Sequence, residues 1–275
     1  MELNQLPILN KILCMLSKIM MLCGILVSIS CNNNASSPTP ASKNNFKKPV
    51  IKPDNFAQIK NIPLPLGYTR IENGDDSFAT WLQNVGLKKD KTVYKFDGTP
   101  KANQTAQFAV LDISVGARDL QQCADAVMRL RAEYLFAKER YTEILFIDNE
   151  NIDYKLDPPY TKEHFAAYLN KVFGMCGSAS LAKQLKAVSD INKIAAGNVI
   201  IRGGFPGHAV IVMDVAQNTT GEKIYLLAQS YMPAQDIHVL LNPANEDLSP
   251  WYAVTEENII HTPEYTFYKN ELKGW

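Results

Sequence analysis

The feature that most constrains the fold of this chain is a series of three apolar runs separated only by short turns. The runs are GNVIIRGG, GHAVIVMDV and KIYLLAQSYM, and they lie between residues 197 and 232. Each is short, rich in Val, Ile and Leu, and bounded by Gly or by Asn and Thr, as is typical of buried strands. Because short turns join antiparallel neighbours, we predict an antiparallel β-meander as the core of the fold.

A long helical pattern precedes the meander. The strand-like run QFAVLDISV, residues 107–115, leads into an amphipathic pattern from Arg118 to Tyr141, for which Asp119 is the predicted N-cap. Its apolar stripe consists of Leu120, Cys123, Val127, Leu130 and Tyr134. This order of elements predicts an α+β fold: a single domain in which a long central helix packs on the antiparallel meander.

The N-terminal residues differ in composition from the rest of the chain. The apolar run IMMLCGILVSIS, residues 19–30, is shorter than the ~20 residues of a transmembrane helix and has the length of a secretory signal core. It ends at Cys31, which a polar Asn/Ser/Pro-rich segment follows. This combination resembles the lipobox of bacterial lipoproteins, although Ser28 stands where leucine is usual. The alternatives are a plain cleaved signal peptide and an uncleaved anchor.

We therefore expect a lipoprotein signal peptide at residues 1–30, lipidation of Cys31, a flexible tether at residues 31–60 and one α+β domain at residues 61–275. The expected location is the bacterial cell envelope, with the chain anchored through its lipid on the periplasmic or outer-membrane face. The membrane is thus a predicted partner through the N-terminal lipid.

Charge and cysteine content restrict the possible functions. Lys+Arg and Asp+Glu each total 28, so no basic field favours nucleic acid, and no nucleic-acid partner is predicted. Of the cysteines, Cys123 and Cys176 remain in the predicted domain. In an oxidising envelope these two could form a disulfide. A catalytic role for Cys123 therefore competes with that pairing and with an inert, buried thiol.

Three segments carry the residue types of a cysteine-nucleophile site. Cys123 lies on the helix, His208 begins the middle strand of the meander, and Gln229 lies on the strand after it. A thiol nucleophile needs a base, and the base needs an orienting group. This chain order resembles that of papain-like hydrolases, including cell-wall amidopeptidases and transglutaminase-like proteins. The resemblance implies a papain-like arrangement, with Cys123 attacking, His208 acting as base and acid, and Gln229 orienting His208.

The position of Gln229 depends on the register of the predicted hairpin. If Ala216 pairs with Lys223, Gln229 shares a face with His208 and lies within diagonal reach of it. A slip of one residue places Ser230 there instead. We predict Gln229.

The same segments also fit ordinary structural roles. Cys123 lies on the apolar stripe, and if Asp119 caps the helix, it is four residues in, where the helix-end field has mostly faded. His208 follows a Pro-Gly pair, where a histidine commonly stabilises a turn. No metal or cofactor is predicted, because metal-ligand spacing is missing among the four histidines, His164, His208, His238 and His261.

The segment QSYMPAQ, residues 229–235, concentrates hydrogen-bonding side chains around a proline-containing strand end. Ser230, Tyr231 and Gln235 are therefore candidate ligand-binding residues, and an ordinary turn is the alternative interpretation.

Long motifs connect the chain to one family. DLQQCADAVMRLRAEYL, GGFPGHAVIVMDVA and LLAQSYMPAQ, ahead of SPWY, are similar to the bacterial envelope proteins grouped as domain of unknown function 4846, over about residues 64–252. The resemblance implies a secreted or lipid-anchored protein. It brings no established activity and no catalytic residues.

Two functions fit these observations. The first is a lipid-anchored cysteine amidase or peptidase that acts on cell-wall peptide or a related amide. The alternative is a non-catalytic envelope module that binds a peptide or glycan fragment in a cleft between the long helix and the meander, with QSYMPAQ along its edge.

Lipidation can be tested directly. We expect radiolabelled palmitate to enter the protein and Cys31→Ala to abolish the labelling, because the acyl chain needs the Cys31 thiol. Cys23→Ala is the control, since Cys23 lies in the segment that would be removed, and it should keep the label. Labelling of Cys31→Ala, or no labelling of the wild type, contradicts the expectation.

Overall fold

The computed structural model describes residues 56–275; the predicted signal peptide, Cys31 and most of the predicted tether lie outside the described residues. The helices within this range are α1 (Phe78–Gln83), α2 (Cys123–Ala137), α3 (Lys162–Met175) and α4 (Ser178–Gln184). The strands are β1 (Tyr68–Arg70), β2 (Gln107–Val110), β3 (Leu145–Ile147), β4 (Asp153–Lys155), β5 (Lys186–Ala187), β6 (Val199–Arg202), β7 (His208–Asn218), β8 (Lys223–Gln229), β9 (His238–Leu240), β10 (Tyr252–Ala253), β11 (Ile259–His261), β12 (Thr266–Tyr268) and β13 (Leu272–Gly274).

One antiparallel sheet dominates the described part of the chain. Its strands follow the order β2-β9-β8-β7-β6-β13-β5, and β1 and β10 pair with β7 and β8 outside that path. The pairs β11-β12 and β3-β4 form separate two-stranded ribbons. The fold is thus a single mixed α and β domain with few helices, and the predicted antiparallel meander is confirmed as β6-β7-β8.

Strand β7 is buried on both faces of this sheet. Ala209, Ile211 and Met213 belong to the core cluster that includes the buried side chains of α2. Val210 and Val212 belong to a second cluster on the opposite face. Because both faces are covered, the strand carries a continuous apolar run rather than alternating apolar and polar residues.

The β7–β8 register differs from the predicted one at the hairpin end. Lys223 pairs with Gln217 rather than with Ala216, but the register shifts between Val212 and Asp214. Met213 is the extra residue of a β-bulge, which offsets the two strands by one position. Beyond the bulge Ile211 pairs with Ala228, as the predicted register requires.

Helix α2 is shorter at both ends than the predicted helix from Arg118 to Tyr141. Its N-cap is Gln122, and Asp125 completes a capping box by accepting the Gln122 backbone N–H at 2.9 Å. The prediction of Asp119 as the cap is wrong, because its carboxylate accepts the backbone N–H of Ala234 at 2.7 Å instead. Within residues 56–275, no helix is long and apolar enough to span a membrane.

A buried carboxylate connects the N-terminal strand to the sheet. Asp214 is fully buried and accepts hydrogen bonds from Arg70 Nε and Gln83 Nε2, each at 2.7 Å. Arg70 also donates to the backbone oxygen of Ile62 at 2.6 Å. Burial raises the pKa of Asp214, and the bonds from Gln83 and Arg70 oppose this rise. A buried carboxylate of this kind is tolerated only while its partners remain.

Arg70→Met should therefore lower the free energy of unfolding by about 3 kcal/mol, because it leaves the Asp214 carboxylate buried without its counter-charge. Urea denaturation at neutral pH measures this change. Arg140→Met is the matched control, since it removes an arginine from an exposed ion pair with Glu143. Equal losses in the two variants would show that burial of Asp214 does not set the cost.

Candidate functional site

Cys123 is the first residue of α2, not a residue four positions into the helix as predicted. It is partly exposed and lies where the N–H groups of a helix have no helical partners. Burial raises the pKa of the Cys123 thiol, while hydrogen bonds from the backbone N–H groups of Ala209, Ala124 and Cys123 itself oppose the rise. The thiol is therefore at the end of the helix that stabilises a thiolate.

The segment after β8 holds this end of α2 in place. Ser230 is fully buried, and its hydroxyl is 3.0 Å from the backbone oxygen of Gln121 and 2.8 Å from that of Gln235. Gln235 is also buried. Of the predicted ligand-binding residues, Ser230 and Gln235 thus lie in the interior beneath the N-terminus of α2, and only Tyr231 is partly exposed.

His208 is the first residue of β7, and its ring is buried among aromatic side chains. The ring centroids of Tyr231, Tyr265 and Phe267 lie 4.7, 4.9 and 5.8 Å from that of His208. Nε2 of His208 is 2.8 Å from Oε1 of Gln229, which confirms the predicted proximity of these two residues. Burial lowers the pKa of His208 to about 4, although the bond with Gln229 opposes this, so the imidazole is neutral at pH 7.

Hydrogen bonds on the far side of Gln229 assign the orientation of its amide. Nε2 of Gln229 donates to Oε2 of Glu264 at 2.8 Å and lies 3.4 Å from Nε2 of His238. His238 Nδ1 is 2.9 Å from the backbone oxygen of Asp236, so Nδ1 carries the proton and Nε2 accepts. Oε1 of Gln229 therefore faces His208, whose Nε2 must donate, and Nδ1 of His208 is left unprotonated.

Glu264 is itself held by two side chains that sequence reasoning did not single out. Lys101 Nζ is 2.5 Å from its Oε2, and Asn103 Nδ2 is 3.0 Å from its Oε1. Burial lowers the pKa of Lys101, and the contact with Glu264 opposes this shift. These residues are distant in the chain from His208 and occur in loops without periodicity, so no local signal could have identified them.

The relation between Cys123 and His208 is indirect. No hydrogen bond joins Cys123 to His208 within residues 56–275; the backbone N–H of Ala209, the residue after His208, lowers the pKa of the Cys123 thiol. The alternative of a Cys123–Cys176 disulfide is wrong, because both thiols are free. Cys176 lies at the C-terminal end of α3. In the same range of residues, no group of three or more His, Cys, Asp or Glu side chains could hold a metal ion.

Asp125 is an unusual neighbour of this site. Its Oδ1 is buried and has no hydrogen-bond partner among the described residues, and only its Oδ2 accepts the capping N–H of Gln122. Burial raises the pKa of Asp125 to about 8, although the N–H groups of Gln122 and Asp125 oppose the rise. The carboxyl group is therefore mostly protonated at pH 7, and when it ionises its negative charge raises the pKa of the Cys123 thiol.

The pH dependence of the folding stability should reflect the titration of Asp125. Its folded pKa of about 8 exceeds the unfolded value of ~3.9, so the folded state binds more protons and stability falls as pH rises toward 8. His208 and His238, with folded pKa values of about 4, act oppositely but only up to their unfolded pKa of ~6.5.

We therefore expect the wild-type melting temperature to fall from pH 6.5 to 8. Asp125→Asn should remove this fall, because its amide does not titrate. Differential scanning fluorimetry measures both slopes, and Asp148→Asn, which alters another buried carboxylate whose pKa is lowered, is the control. An unchanged slope in Asp125→Asn would assign the dependence to another group.

The comparisons with known proteins give a family but no activity. The model of the family described as Domain of unknown function (4846) matches residues 59–157 and 148–274. No curated protein and no solved structure matches the chain. The matched segments cover nearly all of the described residues, and the chain belongs to the domain of unknown function 4846 family.

Proposed function

We propose that this protein is a papain-like cysteine amidase or peptidase that acts on cell-wall peptide. The observation that carries the proposal is the hydrogen bond from His208 Nε2 to Gln229 Oε1, beside a cysteine that begins a helix. The bond leaves Nδ1 of His208 as a free base. Nucleophile, base and orienting amide then have the three roles that thiol hydrolysis requires.

The first half of the reaction forms a thioester. Nδ1 of His208 takes the proton from the Cys123 thiol as the sulfur attacks the substrate carbonyl carbon. In this proposal the backbone N–H of Cys123, which has no helical partner at the helix N-terminus, turns from the sulfur to the developing oxyanion and donates to it. The C–N bond then breaks, and the leaving amine takes the proton from Nδ1 of His208.

The second half regenerates the thiol. Water attacks the thioester carbonyl and gives a proton to Nδ1 of His208. The C–S bond breaks, the carboxylic acid product leaves, and the proton returns to the Cys123 sulfur. Gln229 accepts from Nε2 of His208 throughout. Nδ1 of His208 therefore serves as base and then as acid in both halves of the reaction.

Two observations oppose proton transfer from Cys123 to His208 in the structure as it stands. No hydrogen bond joins Cys123 to His208 in the described residues, and burial disfavours both thiolate and imidazolium. The Cys123 side chain must therefore rotate toward Nδ1 of His208 when substrate binds. The same two observations favour the second candidate, a non-catalytic module that binds a peptide or glycan fragment beside Tyr231.

The proposed setting of the reaction is the bacterial envelope. In this proposal the lipid on Cys31 fixes the protein to the membrane on the periplasmic or outer-membrane face, and the residues between Cys31 and the domain act as a tether. Cell-wall peptide is the substrate because it is the abundant amide-bonded polymer within reach of such an anchor.

Hydrolysis of soluble peptides released from cell wall, followed by mass spectrometry, tests the proposal. Cys123→Ala and His208→Ala should each lower the rate by about 10³-fold or more, because removal of either member of a nucleophile–base pair disables the whole unit. Cys176→Ala is the matched control, since it removes the other free thiol of the domain, and it should keep the activity.

Activity that survives in Cys123→Ala would exclude the proposed mechanism. Binding of the same peptides without turnover, with equal affinity in wild type and Cys123→Ala by calorimetry, would instead establish the binding module.

A further inference from the structure

The turn between β11 and β12 places a carboxylate behind the proposed orienting amide. We infer that Glu264 is a positioning residue: by binding the amide nitrogen of Gln229, it fixes which nitrogen of His208 carries the proton. The effect of this positioning on catalysis rests on the proposed function. The geometry that carries it is the 2.8 Å contact from Gln229 Nε2 to Glu264 Oε2.

The side-chain amide of Gln229 can adopt two orientations that differ by half a turn, and Glu264 selects one of them. Rotated by half a turn, Gln229 would present its NH₂ to His208, which would force Nε2 to accept and place the ring proton on Nδ1. His208 could not then take a proton from a thiol at Nδ1. The orientation of one amide therefore decides whether His208 can act as a base.

Two acceptors oppose the rotated amide. In that orientation Oε1 of Gln229 would face the carboxylate of Glu264 and the unprotonated Nε2 of His238. Both contacts would join acceptor to acceptor in a buried site, where such pairing is unfavourable. His238 lies 3.4 Å from Gln229 Nε2, whereas Glu264 lies at 2.8 Å and carries a charge, so Glu264 contributes more to the preference.

The carboxylate of Glu264 is kept in place by its surroundings. Lys101 and Asn103 bind its two oxygens, and the Lys101 and Glu264 side chains are 9% and 14% exposed, so the ion pair is largely shielded from water. The turn that carries Glu264 is closed by Thr262, whose hydroxyl donates to the backbone oxygen of Tyr265 at 2.8 Å. One short turn thus supplies both the carboxylate behind Gln229 and the Tyr265 ring beside His208.

The test reads the proton position directly, by ¹⁵N NMR of the His208 side chain at pH 7. We expect the wild type to show the neutral form protonated at Nε2. Glu264→Ala should show a mixture of the two neutral forms, because the amide loses its strongest directing contact. Glu264→Gln should keep the wild-type form, since its side-chain oxygen can still accept from Gln229 Nε2.

Both single variants leave Lys101 without its counter-charge, so folding requires its own control. The double variant Lys101→Met/Glu264→Gln removes both charges and retains an acceptor, and it should fold and keep the form protonated at Nε2. Glu256→Ala changes an exposed glutamate on the segment before β11 and should leave the spectrum unchanged. A wild-type spectrum in a folded Glu264→Ala protein would overturn the inference.

Kinetics separate this inference from the proposed hydrolase. In an active protein, Glu264→Ala should lower kcat by at least about tenfold while KM is unchanged, and Glu264→Gln should restore most of the loss. An incorrect histidine tautomer lowers kcat by up to ~10⁴-fold in serine proteases. If wild type hydrolyses no peptide but Glu264→Ala still shifts the tautomer, the hydrolase proposal fails and the positioning role stands.

Discussion

From His208 to Ala216, strand β7 has no solvent-exposed face, and the arrangement of the domain follows from that constraint. Its two faces belong to different core clusters, one shared with α2 and the other with β12. A strand buried on both sides cannot shift along its neighbours without exposing apolar side chains to water or burying polar ones. His208, at the first position of this strand, is therefore fixed by the core rather than by a flexible loop.

The candidate site was partly predictable because the contact between His208 and Gln229 joins two strands that are consecutive in the sequence. Gln229 and His208 lie on consecutive strands joined by a short hairpin, and the two-residue period of a strand determines which side chains share a face. The predicted proximity was correct although the pairing at the hairpin end was not. The pattern could not show the bulge at Met213, because an extra apolar residue in an apolar run leaves no mark.

The errors at α2 have a different physical origin. Asp119 has the chemistry of an N-cap, but a tertiary contact with Ala234 uses its carboxylate, and the helix begins later. Local sequence patterns could identify Glu264 and Lys101 even less. Glu264 contacts Gln229, and its ion pair with Lys101 brings together loops more than a hundred residues apart. Sequence patterns report which faces are buried, whereas the partners of buried polar groups depend on the complete fold.

The bulge at Met213 also divides the β7–β8 hairpin into two parts whose registers differ by one residue. On the side toward His208, the pairing of Ile211 with Ala228 aligns the site, whereas the distal part follows its own alignment from Asp214 outward. A change in the length of the distal hairpin end can therefore be absorbed at the bulge. An insertion or deletion at the hairpin end would then leave the alignment of His208 with Gln229 unchanged.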